Sequence, residues 1–324
     1  MQIELLVDNK DENIYDISEL ISEVAWKTKR KDKPSSLDIK FIKDSIVNIN
    51  NGDVISFKAD NNPIFYGYIF ENSGSKEPNI KLTAYDQLRY LLYNDTYVFT
   101  NKKANGIVTE IANDIGLRLG TIEDTGYPIP SLLEDDKKLL DIMYSSLEKT
   151  LMSTGQTYTL YDDYGSLCLK NINNLRQDIV ISDDSNLGDY DYKNSIDSET
   201  YNRIKLVRDN KESKGRDVYI SQDSNNIAKW GRLQYYKKID EKMNKAQIEE
   251  MLSATLKLKN KENRTLKLKD VVSTDIARDL KLRAGSGVYV EIAEKKISQY
   301  YLIEEATHKF SKGNLIMDFD LKVV

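Results

Sequence analysis

Ser36-Leu37-Asp38-Ile39-Lys40-Phe41 alternates apolar with polar side chains, and near the other end of the chain Thr265-Leu266-Lys267-Leu268-Lys269 does the same. Each is followed by a Gly turn and a second alternating segment. These are Asn51-Gly52-Asp53-Val54-Ile55-Ser56-Phe57 in the first case and Gly285-Ser286-Gly287-Val288-Tyr289-Val290-Glu291-Ile292 in the second. A further apolar stretch follows in both, Ile64-Phe65-Tyr66-Gly67-Tyr68-Ile69 and Gln299-Tyr300-Tyr301-Leu302-Ile303. Alternation with a period of two buries one face of a strand and wets the other. The chain therefore reads as α+β, mainly β, with two related β-barrel domains over residues 1–97 and 200–324. They flank a mixed helix and hairpin lobe over 98–199, and the strand at Leu37 is expected to superpose on the strand at Leu266.

From Thr100 the period changes. Ala104, Ile107, Ile111 and Ile115 fall at three- and four-residue steps, which predicts a short amphipathic helix stopping at Gly116. Pro128-Ile129-Pro130 marks an extended loop, and Leu140, Met143, Tyr144, Leu147 and Leu151 form the apolar stripe of a second helix. Gln156 to Tyr161 and Ser166 to Leu169 flank Asp162-Asp163-Tyr164-Gly165, the pattern of a β-hairpin. The Asp-, Ser- and Asn-rich stretch from Ile181 to Thr200 reads as a link. Beyond it, Tyr201 to Val207 and Asp217 to Ile220 are expected strands, and Ala246 to Lys257 a helix inserted ahead of the C-terminal β-region.

The 324 residues give room for two or three domains. No run approaches eighteen consecutive apolar residues, and Met1-Gln2-Ile3-Glu4-Leu5 lacks the basic start and long apolar run of a signal peptide, so synthesis and folding are expected in the cytoplasm. Net charge is −5, from 47 basic and 52 acidic residues, without the concentrated positive face of a nucleic-acid binder. The one dense basic run, Lys27-Thr28-Lys29-Arg30-Lys31-Asp32-Lys33, reads as a solvated loop tip. Tyrosine outnumbers phenylalanine 21 to 7. A ring with a water-tolerant hydroxyl suits strand faces that are wet alone and covered in a complex, which makes Tyr289, Val290, Tyr300 and Tyr301 the candidate assembly residues.

Little here points to chemistry. One cysteine, Cys168, and one histidine, His308, leave no disulfide, no Cys-based zinc site and no nucleophile with a partner base, so no cofactor or metal is expected. Cys168 sits in an alternating strand as a small core residue, and His308 reads as structural. Gly285-Ser286-Gly287 precedes a strand rather than a helix, so it offers no helix N-terminus to an anion. Carboxylates cluster at Glu134-Asp135-Asp136, Asp162-Asp163 and Asp183-Asp184. General acid and base roles need one carboxyl kept protonated in an apolar cleft, whereas these read as polar turns where both members ionise.

Ala284 to Ile292, Tyr301 to Phe310 and the closing Met317-Asp318-Phe319-Asp320-Leu321 resemble the C-terminal domain of the XkdQ/YqbQ-type tail proteins of contractile phage-tail elements, relatives of the late-control gene D baseplate hubs. Val24-Ala25-Trp26, Tyr201-Asn202-Arg203-Ile204 and Trp230-Gly231-Arg232-Leu233-Gln234 extend the resemblance upstream in order. It implies a structural hub of a phage tail or phage-tail-like bacteriocin: a homotrimer whose two tail-tube-like barrels per chain make a pseudo-six-fold ring. Such a ring joins a six-fold tail tube protein above to a three-fold central spike protein below, beside wedge or LysM-type baseplate proteins. The resemblance implies no membrane contact, DNA only as cargo through an acidic lumen, and residence in the particle's baseplate after cytoplasmic assembly. Two other classes stay open: a tail-associated cell-wall hydrolase, which needs a perturbed carboxylate in a cleft, and a receptor- or carbohydrate-binding tail module, which the tyrosine content permits.

Overall fold

In the computed structural model, which describes residues 1–323 apart from 75, 77, 211–213, 242 and 312, the alternating segments are strands whose apolar residues all turn to one side. The N-terminal region supplies β1 (Ile3–Asp8), β2 (Ile14–Asp16), β3 (Ile21–Lys29), β4 (Ser36–Ile42), β5 (Val54–Ala59), β6 (Asn62–Gly74) and β7 (Asn79–Tyr85). The lobe follows as β8 (Asn94–Lys103), α1 (Ala104–Asp114), β9 (Leu119–Ile122), β10 (Pro128–Lys138), α2 (Leu139–Thr154), β11 (Tyr158–Asp162) and β12 (Leu167–Asn171). Then come β13 (Arg176–Ser182), β14 (Asp189–Ser195), β15 (Arg203–Asn210), β16 (Gly215–Gln222), α3 (Ser224–Trp230), β17 (Gln234–Lys238) and α4 (Lys245–Lys259). The C-terminal region is β18 (Asn263–Val272), α5 (Ile276–Asp279), β19 (Gly287–Ile292), β20 (Ile297–Ser311) and β21 (Asn314–Lys322).

Two units separate. The larger comprises Met1–Leu147, Thr157–Asp191 and Leu266–Val324, and the smaller Glu148–Gln156 and Tyr192–Thr265. In the larger, the strands of both chain ends join one sheet in the order β14-β18-β21-β20-β3-β4-β7-β6-β5-β1-β2, with β19 also on β20 and β13 on β19. The alternation predicts two separate barrels. Among the described residues the sheet stays open, because β20 is long enough to pair with β19 through its first half and with β3 through its second. A shared core backs it, in which Phe57 of the first region meets Phe310 of the second edge to face, ring centroids 4.9 Å apart.

The lobe keeps its own core, where Ile107, Val108 and Ile111 of α1 meet Leu140 and Met143 of α2 and Leu160, Leu167 and Leu169 of the β11–β12 hairpin. Pro128-Ile129-Pro130 is not a loop: it opens β10, which among the described residues pairs only with β8 and so tolerates prolines that cannot donate to a ladder. The stretch 181–200 is likewise not a bare link, since it completes β13 and carries β14.

The smaller unit is a three-stranded sheet, β16-β15-β17, whose Ile204 and Leu206 pack on Ile248 and Leu252 of α4. Asn244 starts α4 with a capping box, its side chain accepting from Gln247 N while the Gln247 side chain accepts from Asn244 N. The neck is tied by Tyr201 N donating to Lys259 O at 2.9 Å and Thr200 Oγ1 donating to Lys261 O at 2.9 Å.

Candidate assembly surface

The duplication read from the alternation extends to individual hydrogen bonds. In the first region strands run β3-β4-β7-β6-β5-β1, and in the second β14-β18-β21-β20-β19-β13. Gly52 N donates to Ile69 O at 2.7 Å and Ile69 N to Asp53 O at 2.9 Å; the counterparts are Gly285 N to Ile303 O at 2.8 Å and Ile303 N to Ser286 O at 2.9 Å. Both glycines hold φ of +94°, a conformation that side chains with a Cβ resist. The pairing of β6 with β7 skips a residue between Ile69 and Glu71, and that of β20 with β21 skips one between Ile303 and Glu305. Tyr68 thus corresponds to Leu302 and Glu71 to Glu305. The outermost strands differ in direction: β1 joins β5 antiparallel, β13 joins β19 parallel.

The four sequence-predicted residues divide by the pleat. Val290 and Tyr301 point into the core and are buried, whereas Tyr289 and Tyr300 face each other across β19 and β20 on the wet side, rings edge to face at 5.0 Å. The Arg176 guanidinium lies 5.3 Å from the Tyr300 ring and Tyr289 Oη is 3.0 Å from Ser298 Oγ. Elsewhere on the wet face of the sheet, acids are answered by lysines: Lys27–Asp38 at 2.7 Å, Lys29–Glu305 and Lys267–Asp320 at 2.8 Å, Lys309–Asp318 at 2.6 Å.

A buried polar cluster escaped the sequence reading. Asp86 accepts from Ser35 N and Leu88 N, each at 3.0 Å, and burial pushes its carboxyl up to about 6 against the pull of those donors and of Arg283. Asp162, expected in a wet turn, is 6% exposed; burial, reinforced by Asp86, pushes it up to about 8. Its Oδ1 accepts from Gly165 N at 2.7 Å, while its Oδ2 and Arg283 Nε have no hydrogen-bond partner. The Arg283 guanidinium covers the ring of Tyr161, 4.4 Å from its centre. Two carboxyls with separated pKa values are what acid–base hydrolysis needs, but Asp86 is 1% exposed and its oxygens are already engaged, so no substrate reaches it.

His308 is fully buried in mid-β20 between Trp26 at 4.9 Å and Phe319 at 6.1 Å. Neither ring nitrogen is hydrogen-bonded; the Asp279 backbone approaches without bonding geometry, and burial holds the imidazole down at about 3. Cys168 is buried in β12, its thiol pushed up by burial. Among the described residues no group of three His, Cys, Asp or Glu could hold a metal, and no helix is long and apolar enough to cross a membrane. A cleft of about 510 Å³ is lined by Tyr68, Arg89, Tyr90 and Tyr93 with Ile115 and Leu117.

The architecture is that of solved phage tail proteins. The 43 kDa tail protein of prophage MuSo2 from Shewanella oneidensis aligns over 99% of this chain and 98% of its own with a TM-score of 0.72 at 14% identity. The tail protein from Neisseria meningitidis MC58 aligns over 100% and 97% with a TM-score of 0.74 at 10% identity. At the level of sequence, a family model described as YQBQ-like matches residues 24–322, and the chain belongs to that family. It is 32% identical to the protein YqbQ of Bacillus subtilis (strain 168) over 310 residues, 94% of this chain and 92% of the relative. It is 30% identical to XkdQ of the phage-like element PBSX of the same strain over 312 residues, 94% and 93%.

Proposed function

We propose that this chain is the structural hub of a contractile phage tail or phage-tail-like bacteriocin, working as a homotrimer that joins a six-fold tail tube to a three-fold central spike. The observation that carries the reading is the repeated strand order with its matched glycine turns, hydrogen bonds and bulges. A chain holding two equivalent tube-like β-units presents six such units when three copies associate, and so matches a six-fold partner on one side while remaining three-fold on the other. Membership in a family that includes XkdQ of a phage-like element, and a fold shared with phage tail proteins, support placing it in a tail.

In this reading the partners are the tube protein, the spike and neighbouring wedge or LysM-type baseplate proteins, with Tyr289 and Tyr300 on a contact face. The protein acts by geometry rather than catalysis, and any DNA passes only as cargo, across a wet sheet face whose acids and lysines neutralise each other. Sedimentation equilibrium tests the stoichiometry, and class averages of negatively stained particles test the ring. A trimer with six peripheral densities is expected; a monomer at every concentration, or a closed dimer, overturns the hub.

The tyrosine-lined cleft favours a second reading, a carbohydrate-binding tail module. Binding of host wall glycan by isothermal titration, abolished by Tyr90→Ala, would support it; absence of any heat removes it.

A further inference from the structure

The two equivalent halves differ in what lies along one strand edge. In the second half, the edge of β20 from Glu305 to Phe310 is occupied by β3, in register from Glu305↔Lys29 to Phe310↔Val24. The turn ahead of β19 seals that joint: Ala284 N donates to Thr28 Oγ1 at 2.9 Å, and the Arg283 guanidinium lies 5.6 Å from the Trp26 ring. By the correspondence of β6 with β20, Glu71 to Gly74 are the counterparts of Glu305 to His308. All four are exposed, and among the described residues no strand pairs with them on the side away from β7. The turn after β4 reaches this edge through Ile49 O, which accepts from Asn72 Nδ2 at 2.8 Å, and carries Ile46, 80% exposed. The plug is equally easy to find. As β3 borders β4, so β14 borders β18, and β14 ends the sheet with five of its seven residues exposed.

One chain therefore contains a filled socket with its strand in place, and an empty socket with a free strand. Unpaired edges are sites where a strand adds, because the main-chain donors and acceptors of both strands are then satisfied together. The geometry points to β14 of a second copy as the strand that pairs with Glu71–Gly74, antiparallel as β3 is on β20. The joint between copies then repeats the joint within a chain, which is the condition for a head-to-tail series to close. This rests on the hub reading for the number of copies and names the surface through which they meet.

Cysteine cross-linking tests it, since the chain's single thiol, Cys168, is buried. Ser73 corresponds to Thr307, which faces Lys27 on the wet side. On β14, Tyr190 packs on the core, so Asp191 and Lys193 face the wet side. Chains carrying Ser73→Cys are co-expressed with chains carrying Lys193→Cys or Asp191→Cys, oxidised, and resolved on denaturing gels, alongside sedimentation of the same samples. The expected result is a disulfide-linked dimer rising from background to the majority species for at least one pair, and a ladder ending at three copies when both cysteines are on one chain. A trimer by sedimentation with no cross-link from any pair overturns the strand joint and leaves the hub reading standing. A monomer with no cross-link overturns both.

Discussion

Gly52 and Gly285 occupy the same place in the two halves and share φ of +94°, yet an added methyl group meets different surroundings. At Gly52 nothing lies within 4 Å of the new Cβ; at Gly285 it falls 2.7 Å from Thr159 Cγ2 and 2.8 Å from Thr159 Oγ1. Thr159 is fully buried in β11, so it cannot swing aside. Gly52→Ala is therefore expected to cost only positive-φ strain, about 1–2 kcal/mol, partly offset by a stiffer unfolded chain. Gly285→Ala adds an overpacking cost of about 1–3 kcal/mol. The total loss at Gly285 is then about 2–5 kcal/mol before that offset. Urea titrations followed by the emission of the buried Trp26, in a Trp230→Phe background, measure both. Thr159→Ala removes the two closest atoms and should return at least about 1 kcal/mol to Gly285→Ala while adding independently to Gly52→Ala. Equal midpoints for the two glycine variants, or no coupling to Thr159, would refute the contact and with it the placement of β11 against the second turn.

Asp162 binds its proton more tightly folded than unfolded, so its favourable contribution is complete below pH about 4 and drains away as pH rises to about 8. Asp162→Asn should leave stability at about pH 4 nearly unchanged and raise it progressively towards about pH 9, by more than about 1 kcal/mol, and parallel pH profiles would count against the burial. His308 has the opposite sign: its folded value lies below the unfolded 6.5, so stability is present above pH 6.5 and lost as pH falls towards 3. His308→Leu should move the acid midpoint seen by circular dichroism to lower pH. Arg30 makes a bidentate pair with Glu304, both N–O distances 2.8 Å, and is largely buried. Arg30→Ala is expected to cost about 2–3 kcal/mol, against less than about 0.5 kcal/mol for Lys27→Ala at its exposed pair with Asp38, as measured by thermal melts. Alanine at Asp135, Asp163 and Asp184 should leave particle assembly and infection or killing intact; loss of lytic action with normal assembly would favour the hydrolase.

Those features that were legible in the sequence are the local ones. Period-two alternation and a glycine at each turn mark β4 with β5 and β18 with β19, and three- and four-residue spacing marks α1, α2 and α4. The pleat also carries the answer for Val290, in phase with the buried Val288 and Ile292, so its place in the core was readable there. β14 was not. Asp189-Tyr190-Asp191-Tyr192-Lys193-Asn194-Ser195 is an edge strand wet on most positions, so no apolar alternation marks it. Nor was Asp162: Asp-Asp-Tyr-Gly has the composition of a solvated turn, and the charges that act on its buried carboxyl, Asp86 and Arg283, are supplied from far away in sequence.

The smaller unit departs from β14 and returns into β18, two strands that lie side by side. In the first half the same connection, between β3 and β4, is made by residues 30–35 alone. Closing a flexible segment as long as 196–262 costs roughly 2 kcal/mol more than closing the short one. That penalty applies only if the insert is unfolded when the strands meet. Because hydrogen bonds from Tyr201 and Thr200 hold the two ends of the neck together, an insert that folds first delivers β14 and β18 as neighbours, and a long-range pairing becomes in kinetic terms a hairpin. Its contents are thereby uncoupled from the register of the sheet, so this position accepts a domain of another size, or a short turn, without altering how the remaining strands find their order.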